Sequence, residues 1–242
     1  MKEIEQFYSL NFDQNKRSKR KIKYLVFHYT GMKTEKSAIK RLTNFNSKVS
    51  CHYFIKKNGS IINLVPDQYI SWHAGISSWK KLKNLNKYSI GIEIQNSGHD
   101  NKYEDFSSKQ ILSIKKLLKK LIKKYNINLD CVLGHSDIAP ERKKDPGEKF
   151  PWKKIAKFNL AKWHKLSEKK IKIFRFGKLD KSEDIIFLKN LYSLGYNKIK
   201  KLDNKSNKRF LFLAFQRRFR PSLVDGKSDM ECLMISKNLL KS

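Results

Sequence analysis

The first strong pattern in the chain is the run Ile22 to His28 (IKYLVFH), almost continuously apolar and short, as a buried strand is. Thr34 to Asn46 then changes period. Ala38, Ile39, Leu42 and Phe45 fall on one face at helical spacing. Tyr53-Phe54-Ile55 and Ile61 to Val65 flank Lys57-Asn58-Gly59-Ser60, and Asn-Gly between two apolar runs predicts a hairpin. Ser89 to Gln95 (SIGIEIQ) alternates with period two, as a half-buried strand does. Ile111, Ile114, Leu117, Leu118, Leu121, Ile122 and Tyr125 then form one apolar stripe on a helix over Ser108–Tyr125, which a capping box of Ser107 and Gln110 would open. Cys131-Val132-Leu133 reads as a last strand, ending at Gly134-His135, and Trp152 to Trp163 as a closing helix.

Strands and helices interleave, which predicts an α/β domain with a central mixed β-sheet flanked by helices. Around Leu166 to Lys181 the text becomes charged and carries no clear period. A helical unit follows, with Phe187 to Leu191, a Leu194-Gly195-Tyr196 turn, a helix over Lys208–Arg218, an Asp225-Gly226 turn and a last helix from about Asp229. The expected organisation is a basic leader (1–20), a main domain (21–165), a linker (166–181) and a small three-helix domain (182–242).

Composition narrows the function classes. The 242 residues are 39% hydrophobic and 12% aromatic, enough for a packed core, so wholesale disorder is excluded. The formal charge is +32, a field that attracts polyanions. Yet most basic residues are Lys set among Ile and Asn, a pattern that compositional drift also produces, and no nucleic-acid motif accompanies them. Nucleic acid is therefore not an expected partner. Cys51, Cys131 and Cys232 are scattered and form no CxxC pair, which suits a reducing compartment. The N-terminal text has no apolar signal-peptide core, and no apolar stretch is long enough to span a bilayer. The expectation is a cytoplasmic protein with no membrane span.

Three residues suggest a metal site. His28 ends the first strand, His135 ends a late one, and Asp145 lies in the loop beyond it. Two imidazoles and one carboxylate leave a fourth tetrahedral position open, which is how catalytic zinc sites are built. Taken singly, a strand-end His is more often structural and an Asp before Pro-Gly is more often a turn former.

The stretches Phe27-His28-Tyr29-Thr30, Ser50-Cys51-His52-Tyr53, Trp72-His73-Ala74-Gly75, Ile90-Gly91-Ile92-Glu93 and Gly134-His135-Ser136-Asp137-Ile138-Ala139-Pro140 resemble the N-acetylmuramoyl-L-alanine amidases. The resemblance is nearest to the AmiD/AmpD-like, 1,6-anhydro-muramoyl branch, and covers roughly Lys21 to Trp163. It implies the peptidoglycan-recognition-protein, lysozyme-like amidase fold. It also implies one zinc ion on His28, His135 and Asp145, with Glu93 as the catalytic carboxylate and Lys143 as the lysine two residues before the metal Asp. The implied reaction cuts the amide between muramic acid and L-alanine of a muropeptide or peptidoglycan fragment. Asn96 stands where relatives carry an asparagine that faces the substrate. His52, Trp72, His73 and Ala139 are further candidate substrate contacts, with a structural or outer-layer histidine the equal reading of His52 and His73, and core packing the other reading of Trp72 or Trp79. Glu141 departs from the pattern, since relatives often carry Gly there, and this touches the substrate fit.

The chemistry is coherent in its own right. An unstrained amide needs an activated water and a stabilised oxyanion, and Glu93, set among Ile90, Ile92 and Ile94, is placed to move the proton. Phe187 to Leu240 resembles the small helical peptidoglycan-binding domain, on Leu188–Tyr196, Ala214–Pro221 and Asp225-Gly226. A helical cap that only packs on the catalytic domain is the other reading of that stretch. The alternative for the whole chain is a non-catalytic peptidoglycan recognition module, although relatives of that kind typically lack a metal ligand.

Overall fold

The computed structural model describes residues 7–198 and 205–241, the second stretch with side chains from residue 208 onward. In chain order come β1 (Phe12–Asp13), β2 (Tyr24–Tyr29), α1 (Glu35–Thr43), β3 (Tyr53–Ile55), β4 (Ile61–Asn63) and β5 (Ile70–Ser71). Then follow β6 (Ser78–Trp79), β7 (Leu82–Lys83), β8 (Ser89–Ile94), α2 (Ser108–Tyr125) and β9 (Val132–Gly134). Six helices complete the described chain: α3 (His135–Ile138), α4 (Trp152–Ala156), α5 (Glu168–Ile171), α6 (Lys181–Leu194), α7 (Lys205–Phe219) and α8 (Met230–Lys241). They fall into two compact units, one running to Ile76 and again over Asn84–Leu133, the other Ser77–Lys83 with Gly134 onward.

The first unit holds a five-stranded mixed sheet in the order β4-β3-β8-β2-β9. The pairs β2–β8 and β3–β8 are parallel, while β3–β4 is the antiparallel hairpin. Its turn needs Gly59 at φ +85, where Asn58 Oδ1 accepts from the Ser60 N–H. On β8 the alternation is explicit: Ile90, Ile92 and Ile94 are fully buried on one face, while Ser89, Gly91 and Glu93 share the other. The α2 helix spans the predicted residues. Ser107 accepts from the Gln110 N–H and Gln110 accepts from the Ser107 N–H, closing the capping box, and Ile114, Leu117, Leu118 and Leu121 are buried.

Three expectations shift. Residues 1–6 of the expected leader lie outside the described residues, but from residue 8 that stretch is built into the first unit. Phe12 pairs with Ser71 across β1 and β5, and the Arg17 guanidinium is buried, donating to Asp67 O at 3.2 and 3.0 Å and to Asn86 O at 2.8 Å. A basic sequence reads as solvated until it finds such acceptors. The helix expected from Trp152 to Trp163 stops at Ala156, and Asn159 adopts a left-handed φ of +55 that a helix cannot continue through. The expected linker contains α5 and a single 3-10 turn over Lys172–Phe174.

The second unit is mainly helical. In α6, Asp180 caps the N-terminus with Glu183, and Gly195 ends the helix at φ +128. Phe187 packs on Phe212 and Phe215, and Leu188, Leu191, Leu211, Ala214, Cys232, Leu233, Ile235 and Leu239 complete the core of α6, α7 and α8. No helix among the described residues is long and apolar enough to cross a membrane.

Candidate metal centre

His28 sits near the end of β2, and its register partner on β8 is Glu93. Paired residues of neighbouring strands project to the same side, so the imidazole and the carboxylate share one sheet face. Val26 and Gly91 form the preceding pair on that face, and Tyr24 and Ser89 the one before it.

His73 lies across this column. Its Nδ1 is 3.0 Å from His28 Nε2, and its Nε2 is 3.0 Å from Ser89 Oγ. Proton positions follow from the end of the chain. Leu85 O only accepts, so Ser89 Oγ, at 2.6 Å, donates its one proton there and accepts from the His73 Nε2–H. With His73 neutral, its Nδ1 carries the lone pair and accepts from the His28 Nε2–H. The lone pair of His28 is then on Nδ1, the form in which imidazole binds a metal, with its orientation set by a second hydrogen-bonded layer. Gly91 makes room for this arrangement, because a Cβ there would meet His73 Cγ at 2.3 Å.

The other two candidates lie just beyond β9 in the chain. His135 opens α3, and its Nδ1 lies 3.1 Å from Asp145 Oδ2, with both residues buried. Tetrahedral bonds of about 2.0 Å place two ligand atoms about 3.3 Å apart, so this separation suits a shared ion. The loop between them is tied back on itself. The Ser136 N–H donates to Asp145 O at 2.8 Å and the Lys143 N–H to Ala139 O at 3.0 Å. Asp145 precedes a cis proline, and Gly134 is required beside it, since a Cβ would meet Pro146 Cδ at 2.7 Å. His28, His135 and Asp145 each offer one ligand atom, and these atoms lie within 4.8 Å of one another, a group that could hold a metal ion.

The remaining expected site residues divide by what they touch. Lys143 is half-buried two residues before Asp145. Ala139 is buried at the end of α3, its N–H on His135 O. Trp72 is half-buried and its indole N–H donates to Asp13 Oδ1 at 2.7 Å. Asn96 is fully buried with its amide spent on its own loop: Nδ2 donates to Glu104 O, and Oδ1 accepts from the Gly98 N–H. His52 is likewise fully buried, its Nδ1 accepting from the Gly91 N–H at 3.0 Å and its Nε2 3.0 Å from Tyr69 O. Burial, then the nearby Arg17 charge, pushes its pKa down to about 3, so the ring is a neutral brace beneath β8. Asn96 and His52 therefore have structural work. Ser89 was not singled out from the sequence. Its only signal there is its place two residues before Gly91 and four before Glu93 on an alternating strand.

Residues 18–148 match the N-acetylmuramoyl-L-alanine amidase family. Over 235 residues the chain is 34% identical to the N-acetylmuramoyl-L-alanine amidase AmiD of Escherichia coli (strain K12), covering 91% of this chain and 83% of that one. A solved complex of E. coli AmiD with anhydro-N-acetylmuramic acid-L-Ala-D-gamma-Glu-L-Lys superposes with a TM-score of 0.81 at 33% identity, over 95% of this chain and 92% of the other. AmpDh3 of Pseudomonas aeruginosa, solved in complex with anhydromuramic pentapeptide, gives a TM-score of 0.81 at 30% identity, over 94% and 93%. The 1,6-anhydro-N-acetylmuramyl-L-alanine amidase AmpD of Haemophilus influenzae is 35% identical over 111 residues, 46% of this chain and 58% of its own length.

Proposed function

The chain belongs to the N-acetylmuramoyl-L-alanine amidase family, and from that premise we propose that it hydrolyses the amide between (1,6-anhydro-)N-acetylmuramic acid and L-alanine of peptidoglycan stem peptides, using one zinc ion on His28, His135 and Asp145. The observation that carries the proposal is the grouping of two imidazoles and a carboxylate beside a strand that sets Glu93 next to His28. The donor set is the one that zinc takes in hydrolytic sites, three protein ligands with one position left for solvent or substrate. The substrate class is supported by the anhydro-muramyl ligands of AmiD and AmpDh3. The cytoplasmic, wall-recycling setting belongs to the same proposal and rests on the sequence alone.

When bound, zinc would supply Lewis acidity, acidifying a water and polarising the scissile carbonyl. The residues do the rest. Glu93 takes the proton from the attacking water and returns it to the nitrogen of the leaving L-alanine, so the carboxylate ends the cycle as it began. Lys143 stabilises the negative charge that develops on the carbonyl oxygen. The chain Leu85–Ser89–His73 keeps His28 in the ligating tautomer throughout.

The test incubates purified protein with 1,6-anhydro-muramoyl and ordinary muramoyl peptides, with and without chelator, and follows the freed peptide amine by mass spectrometry. Chelation should abolish release, and added zinc should restore it. Glu93→Gln should keep zinc and lose about 10²- to 10⁴-fold in turnover. Full activity after complete zinc removal would sink the metal mechanism. Zinc binding with no cleavage of either substrate would favour a recognition module.

A further inference from the structure

Asp137 lies two residues past His135 and is almost entirely buried, with 1% of its surface exposed. A buried carboxylate is costly unless its lone pairs are satisfied by strong donors. Here three donors converge. The Gly134 N–H donates to Oδ2 at 2.8 Å, the Tyr196 O–H to Oδ1 at 2.8 Å, and Arg218 Nη1 to Oδ2 at 2.6 Å. Gly134 immediately precedes His135, so this one carboxylate ties down the chain on both sides of the ligand.

Two of the three donors come from beyond residue 148, where the family match ends. Tyr196 follows the C-terminus of α6, and Arg218 is in the last turn of α7. Each is fixed in its own right. The Arg218 guanidinium lies over the Trp152 ring at 4.6 Å. Tyr196 meets Trp79 edge-on at 4.9 Å, and the Lys80 N–H donates to Gly195 O at 2.9 Å. Trp79 sits so close to Gly195 that a Cβ there would meet its Cε2 at 2.4 Å, and no other residue fits. A helical cap whose task was packing alone would cover the loop with apolar side chains. A buried charge network adds desolvation cost, and what it supplies is a fixed direction for the groups that it holds.

We propose that α6 and α7 are the positioning element of the metal loop, with Tyr196 and Arg218 acting through Asp137 to hold His135 in its ligating orientation. This rests on His135 being a zinc ligand, as argued above. It gives the helical region a role in the reaction whether or not it touches glycan.

The experiment uses the full chain as wild type, Tyr196→Phe, Arg218→Lys and His135→Ala. Zinc affinity is measured by competition with a chromophoric chelator, kcat and KM on 1,6-anhydro-muramoyl peptide, and Tm on the zinc-free proteins. Tyr196→Phe removes one O–H and keeps the ring, so it tests the idea even if Arg218→Lys fails to fold. The expected result is zinc affinity lower by about tenfold, the lower end for lost outer-layer partners, with kcat reduced and KM unchanged. A lower Tm with wild-type zinc affinity and wild-type kcat would overturn the proposal, because that is what a purely structural role gives. If wild type binds no zinc, or His135→Ala binds it equally well, the metal assignment fails and the proposal with it. Loss in His135→Ala with no change in Tyr196→Phe defeats the positioning role alone.

Discussion

His28 Nε2 and His73 Nδ1 are 3.0 Å apart, and the direction of the hydrogen bond between them is decided at the Leu85 carbonyl, four residues before Ser89. Because Ser89 has one proton and spends it on Leu85 O, removing the hydroxyl frees His73 to adopt the other tautomer. Ser89→Ala should therefore weaken zinc binding about tenfold, and His73→Ala by up to about a hundredfold, with Glu93 chemistry intact once zinc is saturating. Chelator competition followed by activity at saturating zinc separates the two effects. Unchanged affinity in both variants would show that the relay does not set the ligand.

Gly91 is tested by size alone. Its φ is not in the left-handed region, so alanine carries no backbone penalty there, yet its Cβ would collide with His73 Cγ at 2.3 Å. Gly91→Ala should displace the His73 ring, lower the zinc-free Tm by several degrees and reduce zinc affinity at least as much as Ser89→Ala. Thermal melts and chelator competition on the same preparation give both numbers. A variant with wild-type affinity would mean that the ring can move without consequence for His28.

The sequence made much of this legible, for a physical reason. A strand with one face in the core and one face lined by small or polar residues must alternate, and SIGIEI shows Ser89, Gly91 and Glu93 between three isoleucines. The α2 stripe and its capping box are likewise local, so helix period and cap chemistry define them. What escaped depends on partners far along the chain. Arg17 reads as one more leader charge until Asp67 O and Asn86 O accept from it. Asp137 stood inside a quoted motif, but the donors that give it a task are 59 and 81 residues away. Tyr196 and Arg218 look like bundle residues in isolation, and only tertiary structure shows them turned toward the ligand loop.

Lys143 is placed by the loop and not by a strand, its N–H on Ala139 O and its side chain half-buried two residues before Asp145. If it acts on charge that develops during the reaction, its loss affects turnover more than binding. Lys143→Ala should lower kcat by about 10²- to 10³-fold with KM and zinc affinity near wild type, and Lys143→Arg should recover part of the rate. Steady-state kinetics on one substrate is enough. A raised KM with unchanged kcat would instead make Lys143 a ground-state contact.

His52 links the fold beneath β8 to pH. Burial, then Arg17, holds its folded-state pKa at about 3, whereas an unfolded histidine titrates near about 6.5. Above about pH 6.5 the ring is neutral in both states and the pKa difference contributes nothing to pH dependence. As pH falls from about 6.5 towards 3 the unfolded chain takes up a proton that the folded chain refuses, so stability declines, by up to about 1.4 kcal/mol per pH unit. Asp67 also has a lowered pKa, since hydrogen bonds from Lys124, Tyr125 and Tyr53 outweigh its burial, but that carboxylate titrates at more acid pH. Urea unfolding of the zinc-free protein between pH 7.5 and 5.5 thus isolates the histidines. His52→Asn, which keeps an acceptor for the Gly91 N–H, should be less stable at pH 7.5 and lose less on acidification than wild type. Parallel pH slopes for the two proteins would show that His52 is not the buried neutral brace, and the difference between them removes every histidine that they share.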